Sequence, residues 1–264
     1  MGGDVRRIPR VSSGTSANWV GEGDTISAGD PVFDRVNLTA KKLATLTRIT
    51  TEMAEDSAIN LAEWLAEDFS RAFAEAEDDA AINGDGTSTY GGVYGVVGQM
   101  NANEGWASVQ TAASGNDQFG EYVPTDLTNV MGKLEEYAYG RDPAWYCSRV
   151  CYGTLFQRLG MAGGGTTTMS LREDLRTLAG FEIRMSPKFN TSTGDQSEEV
   201  VLLFGDLRSV VTLGDRQETR VKVLSELYAD SDEIGLRATE RIGIAVHSLG
   251  DASTVGPIVG LMGE

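Results

Sequence analysis

The chain has 264 residues, 41% of them hydrophobic and 23% charged, which is enough for one large domain or two small ones and does not fit a disordered chain. Its net charge is −17 and its pI about 4.5, with only five lysines, at 41, 42, 133, 188 and 222, so a protein built to grip nucleic acid through clustered cations is a poor fit. No apolar run approaches the ~20 residues of a membrane helix, residues 1–11 lack the apolar block of a secretory signal, and Cys147 and Cys151 make no disulfide framework, which points to a reducing cytoplasm.

Residues 1–15 read as an arm: basic at Arg6, Arg7 and Arg10, broken by Pro9, with little periodicity. Residues 19–22 read as a short strand, followed by a tip rich in turn residues at Gly21, Gly23, Gly29, Asp30 and Pro31. Residues 33–49 are rich in Val, Leu and Thr, with Val36, Leu38 and Ala40 at period two. Together, residues 19–49 predict a long projecting hairpin, marginal alone and in need of a neighbour.

Asp56 is a good N-cap with Ser57 behind it. Ile59, Ala62, Leu65, Phe69, Phe73 and Ala76 then recur at three- and four-residue steps, opposite Glu63, Glu67, Arg71, Glu75 and Asp78. The pattern predicts a helix over 56–83, about 28 residues or roughly 40 Å, stopped by Asn83 and Gly84, which tolerate a left-handed backbone. Residues 84–120 read as loop with short strands. Pro124, Thr125 and Asp126 start another helix with Leu127, Val130, Met131, Leu134, Tyr137 and Ala138 on one face, and residues 144–148 form a short buried strand. Residues 154–159 are helical and 163–168 a flexible Gly/Thr loop. Ser170 and Glu173 form a capping box, predicting a helix that ends at Gly180. Strands follow at 181–185, 200–204, 221–227 and 236–246, the last with Ile242, Ile244 and Val246 on one face. There is no internal repeat, and the class is α+β: one long helix, several short ones, and strands from both halves of the chain.

Chemistry is sparse. His247 is the only histidine and no G-x-S-x-G elbow accompanies it, so a structural histidine is the better reading. Cys147 and Cys151 lack partners for a zinc set and read as ordinary thiols. Gly84-Asp85-Gly86-Thr87 is followed by no Gly-Lys-Ser/Thr, ends a helix rather than opening one, and lacks the oxygen ligands and distal Glu of a calcium loop. It reads as a tight turn. The acidic run Glu75, Glu77, Asp78 and Asp79 reads as a solvated face rather than an acid–base pair. No catalytic residue, cofactor site or metal site is expected.

The order of these segments resembles the major capsid proteins of tailed double-stranded DNA phages, the Hong Kong 97-type shell fold. Ala17-Asn18-Trp19-Val20-Gly21-Glu22-Gly23 looks like the start of that family's extended loop, and Asp30-Pro31-Val32-Phe33 with residues 36–43 its returning strand. Residues 50–57 resemble the approach to the spine helix, and Ile82-Asn83-Gly84-Asp85-Gly86-Thr87, with Gly92-Val93-Tyr94-Gly95 beyond, its exit. Trp145-Tyr146-Cys147, Thr154-Leu155, Leu178-Ala179-Gly180-Phe181 and Ser186-Pro187 are similar to the middle domain. Phe204-Gly205-Asp206-Leu207 and Ala238-Thr239-Glu240-Arg241-Ile242-Gly243 resemble the closing strands. Each piece is weak alone; order and spacing together are specific across nearly the whole chain.

The resemblance implies an arm at 1–16, an extended hairpin (E-loop) at 17–50, a peripheral domain from 51–95 and 216–248 with the spine helix, and an axial domain from 96–215 and 249–264. It implies hexamers and pentamers tiling an icosahedral shell around the genome, in a virion assembled in the host cytoplasm. Partners would be the chain itself, the portal, and scaffolding, protease or decoration proteins; DNA would be enclosed without sequence-specific binding. The acidity would keep free subunits apart. Trp19, Val20, Glu22, Phe33, Arg35, Arg48 and Arg241 are the candidate inter-subunit contacts. Some members of the family weld subunits through a hairpin lysine, but no lysine lies between Asn18 and Val36, so no such crosslink is expected. About fifteen residues precede the hairpin, fewer than the family's usual arm, so the expectation is a longer gene product or an engineered or misplaced start. An encapsulin-type compartment, which shares the fold, is the alternative, and a hydrolase using His247 stands far behind.

Overall fold

The computed structural model describes residues 5–15, 17–56, 61–162 and 177–264. Strand β1 (Val5–Ser13) pairs antiparallel with β2 (Val32–Thr39), with Arg7 opposite Asn37 and Val11 opposite Phe33. The hairpin therefore starts in the segment read as an arm, and residues 19–22 are not a strand. Gly21 interrupts that stretch and Gly23 follows it, while the Val, Arg and Ile run of β1 has the length to match β2. Ala40, buried, separates β2 from β3 (Lys41–Thr50), so the single returning strand expected over 33–49 is two strands in two sheets.

Strand β3 joins the three-stranded sheet β3-β10-β9, with β9 at Val211–Leu224 and β10 at Glu233–Val246. β9 starts ten residues before the expected 221, where extra residues opposite Thr239–Ile242 break its period-two pattern, and β10 starts three residues before the expected 236. The end of β2 is pinned here: Leu38 is 2% exposed and packs on Gly243, where an added Cβ would sit 3.1 Å from Leu38 Cγ.

Asp56, expected to cap the start of the long helix, is instead the last residue of a separate helix α1 (Thr51–Asp56); Ser57 and Ile59 lie outside the described residues. Helix α2 (Leu61–Asn83) follows, about 34 Å of rod. Leu65, Phe69 and Phe73, spaced by four, bury against Ile49 of β3 and Ala238 of β10. At its end Gly84 does not take a left-handed backbone. It is glycine for proximity, because an added Cβ would lie 2.5 Å from Ala80 O and 2.7 Å from Val93 O. The positive φ belongs to Gly86, at +78°. Gly95 and Gly98 lie equally close to the end of α2, so α3 (Val96–Asn101) meets the spine backbone to backbone.

The rest of the chain builds a mixed six-stranded sheet, β4-β11-β8-β5-β7-β6. The strands are β4 (Val109–Thr111), β5 (Ala144–Cys147), β6 (Thr177–Leu178), β7 (Phe181–Met185), β8 (Val200–Gly205) and β11 (Ile258–Met262). Every residue of β8 is buried because helices cover both faces, which explains its uninterrupted apolar run. Helices α4 (Pro124–Lys133) and α5 (Glu136–Tyr139) cover one side together with α6 (Arg149–Cys151), a π-turn over Tyr152–Phe156 and α7 (Gln157–Ala162). Trp145 is the hub, its ring 4.3 Å from Phe204 and 5.8 Å from Phe156. The helix expected to end at Gly180 is absent at 177–178. Ala179 and Gly180, both at positive φ, form the tight turn of a β6–β7 hairpin, a pairing that a primed two-residue turn favours. The loop at 163–168 and the capping box at 170–173 lie outside the described residues.

Candidate assembly surface

The β1–β2 hairpin has one sheet neighbour fewer than it needs. Six residue steps along β2 separate Leu38 from Val32, which puts the base of the tip about 20 Å from that anchor. Trp19 is fully exposed there, Ile26 is 81% exposed and Phe33 68%, with Val20 and Val32 also open to solvent. Covering Trp19, Ile26 and Phe33 would return roughly 2–3 kcal/mol each. The same segment is acidic: Glu22, Asp24, Asp30 and Asp34 occur between residues 11 and 34 with no Lys or Arg. Arg35 is exposed on β2 opposite Pro9, and Asp34 pairs with Arg10 at 3.5 Å.

A second surface carries the opposite charge. One face of the three-stranded sheet lies under α2. The other presents Lys42 and Arg48 on β3, Arg237 and Arg241 on β10, and Arg220 and Lys222 on β9, with exposed Leu46 among them. The register sets Arg237 between Leu46 and Lys222, and Arg241 between Lys42 and Gln217. Arg48 reaches Glu233 at 3.4 Å and stacks 5.3 Å over Tyr228, which orients it along the sheet. The predicted contacts thus fall into two sets: Trp19, Val20, Glu22, Phe33 and Arg35 on the hairpin, and Arg48 and Arg241 on the sheet face. The same two surfaces also carry Ile26, Lys42, Arg220, Lys222 and Arg237, which the sequence did not single out. Strand parity could have found the cations, but only once the β3–β10–β9 register was known.

The other residues singled out in the sequence sit in ordinary structural surroundings. His247 is half-buried just past β10; Nε2 faces Thr212 Oγ1 at 2.9 Å and Nδ1 faces Ser248 Oγ at 3.1 Å. Burial, then nearby Arg10, holds its pKa below the usual value, so the ring is neutral at pH 7. Replacing His247 with alanine should cost about 1 kcal/mol in urea unfolding and leave assembly intact on micrographs. Cys147 and Cys151 are buried free thiols, and burial, then the hydrogen bond that the Cys151 S–H makes to Cys147, pushes the Cys151 thiol up. Asp85 Oδ1 accepts from the Thr87 amide at 2.9 Å, closing the turn after α2. The acidic run is not uniformly solvated: Glu75 pairs outward with Arg71 at 3.1 Å, whereas Glu77 is half-buried, and burial, then neighbouring Glu240, raises its pKa from 4.5 to about 7. The helical period places Glu77 one turn beyond Phe73, on the buried side, which the exposed-run reading overlooked.

The phage capsid family matches residues 1–248, a span holding the hairpin, α2, the three-stranded sheet and all of the six-stranded sheet except β11. This chain belongs to the phage capsid family. The major capsid protein of Klebsiella oxytoca phage phiKO2 is 25% identical over 228 residues, 85% of this chain and 51% of that protein. The chain thus spans about half the length of the curated relative it matches. Among solved structures, the capsid of the native GTA particle computed with C5 symmetry superposes with a TM-score of 0.79 at 19% identity, over 98% of this chain and 85% of that one. A chain of Mycobacterium phage Adephagia gives 0.66 at 18% identity, over 100% and 86%. These likenesses establish the capsid fold, with the hairpin, the long helix and both sheets taking part.

Proposed function

We propose that the chain is the major capsid protein of a tailed double-stranded DNA phage, forming hexamers and pentamers of an icosahedral shell around the genome in a virion assembled in the host cytoplasm. The observation that carries this reading is the hairpin of a phage capsid family member: an acidic, apolar-tipped ribbon with no cover among the described residues of its own subunit. Its tip lies on the basic sheet face of a second copy, with Glu22 and Asp24 towards Arg237 and Lys222, and Trp19 and Ile26 over Leu46. Repeated by symmetry, modest contacts of this kind sum to a closed shell. In domain terms, α2 and the three-stranded sheet make the peripheral part, and the six-stranded sheet the axial part facing the ring centre. The portal and the scaffolding, protease or decoration proteins are further partners, and DNA is enclosed without base readout. An encapsulin-type compartment is not favoured, because the relatives are phage capsids.

Electron microscopy of the purified protein, alone and with its scaffold, tests the reading. Closed uniform particles are expected. Boiled in denaturant they should release single subunits, because the segment 18–36 offers no lysine for a weld. Monomers under every condition would overturn the shell, and a ladder of covalent oligomers would overturn the contact-only assembly.

A further inference from the structure

Among the described residues, β9 is an edge strand, paired with β10 on one side only. Its outer edge is a long row of backbone donors and acceptors, the kind of edge that recruits another strand. Leu213, Val221 and Val223 on it are each more than half exposed. They face the α2 side of the sheet: Val223 lies opposite Leu236, Val221 opposite Ala238 and Leu213 opposite Ile244. Helix α2 packs over Ile49 of β3 and Ala238 of β10, one strand away, and leaves these side chains uncovered. The bulge does not separate them onto two faces. From Thr239 to Ile242 β10 takes three steps while β9 takes five, from Arg220 to Asp215, and two extra residues return the side chains to the same face.

The sequence of β9 matches a second copy of itself. Residues directly opposite in an antiparallel pair share a face of the sheet. Centred on Gln217, such a pair sets Leu213 of each copy against Val221 of the other, Val211 against Val223, and Arg216 against Glu218. Arg216 also holds a contact in its own subunit. A slip of two residues is the smallest that keeps the faces matched. In one direction it sets Arg216 against Arg216; in the other it sets Glu218 against Glu218 and Arg216 against Arg220. Like charges directly opposite are destabilising, so one register is favoured over its neighbours.

We propose that β9 pairs antiparallel with β9 of a second copy about a two-fold axis at Gln217, joining the two three-stranded sheets into one of six strands.

The contact is isologous, the same patch meeting itself. Both α2 helices lie on one side of the joined sheet, with Leu213, Val221 and Val223 of each copy between them. Arg220 and Lys222 lie on the other side, so the two basic faces run into one and remain open to a hairpin.

Cysteine crosslinking tests the pairing, on concentrated subunits and on assembled particles. Leu213 and Val221 are exposed, so replacing them leaves the core untouched, and the natural thiols Cys147 and Cys151 are buried. Across the axis each position faces the other, but eight strand steps, about 27 Å, separate either one from its own counterpart. Leu213→Cys subunits mixed with Val221→Cys subunits should therefore give covalent dimers with a short bifunctional thiol reagent. The yield should be about tenfold that of either variant alone, since thiols so far apart cannot be bridged. Equal yields from the single variants and the mixture, or no dimer from the mixture in either sample, would overturn the pairing. Particles without this crosslink would remove the contact and leave the shell standing, whereas crosslinked dimers that never form particles would keep the contact and remove the shell.

Discussion

Reversing two charges on the sheet face, Arg237→Glu with Lys222→Glu, is expected to abolish closed particles while leaving the subunit folded. Both side chains are exposed, so neither supports the core. Each contact with the acidic hairpin of another copy would be worth only about 0.2–1 kcal/mol, but in the proposed shell every subunit both gives and receives a hairpin, and reversal replaces attraction with repulsion among like charges. The loss should appear as a shift of the whole sample from particles to free subunits on sedimentation, with an unchanged circular dichroism spectrum. Adding Glu22→Arg and Asp24→Arg to the same chain should restore particles in part, because the charge pattern is then inverted on both surfaces. Failure of that rescue, with the double reversal still assembly-dead, would mean that the hairpin seats elsewhere. High salt should weaken assembly of the natural chain in the same direction, since the Debye length falls from about 10 Å at 0.1 M to about 3 Å at 1 M.

The parts of the fold legible in the sequence were those set by local period. The four-residue spacing of Leu65, Phe69 and Phe73 gives α2, and the apolar run of β8 gives a central strand. What was not legible depends on partners far along the chain. Nothing in residues 5–13 says that they pair with 32–39, and the turn residues at 21–31 look like hairpin punctuation whichever strands they join. Gly180 after a helical pattern is a helix stop in one context and a primed turn in another, and the pairing of Thr177 with Glu182 decides between them. The assembly surface followed the same division. Trp19 and Phe33 stood out as large apolar residues in a turn-rich stretch, whereas the six cations on the sheet lie on three strands separated by up to two hundred residues and become one patch only through register. Glu77 was misjudged for a related reason: a run of acids suggests solvent, but its helical phase places one of them inside.

Gly98→Ala is expected to destabilise the subunit by about 2–3 kcal/mol, against the direction that helix propensity gives. Gly98 lies within α3, where alanine would by propensity gain about 1 kcal/mol over glycine. The opposing effect is steric. An added Cβ would sit 2.2 Å from Gly84 O and 2.8 Å from Asn83 O, and both are backbone atoms at the end of α2 that no rotamer change can clear. Relief requires moving α3 away from α2, and Val96, Val97 and Met100 on α3 are buried in the core beside the six-stranded sheet. Overpacking of this kind typically costs 1–3 kcal/mol, and a backbone-to-backbone clash belongs at the upper end. The measurement is the urea midpoint of the free subunit. Gly132→Ala in α4, where an added Cβ meets nothing within 4 Å, is the matched control and should be neutral or stabilising. If the two alanines shifted the midpoint alike, the glycines at 84, 95 and 98 would not be the seam that holds the spine helix to the body of the subunit. With Gly98→Ala alone destabilising, the glycine-rich stretch after α2, which reads in sequence as a loop, is the joint through which the spine and the six-stranded sheet move as one piece.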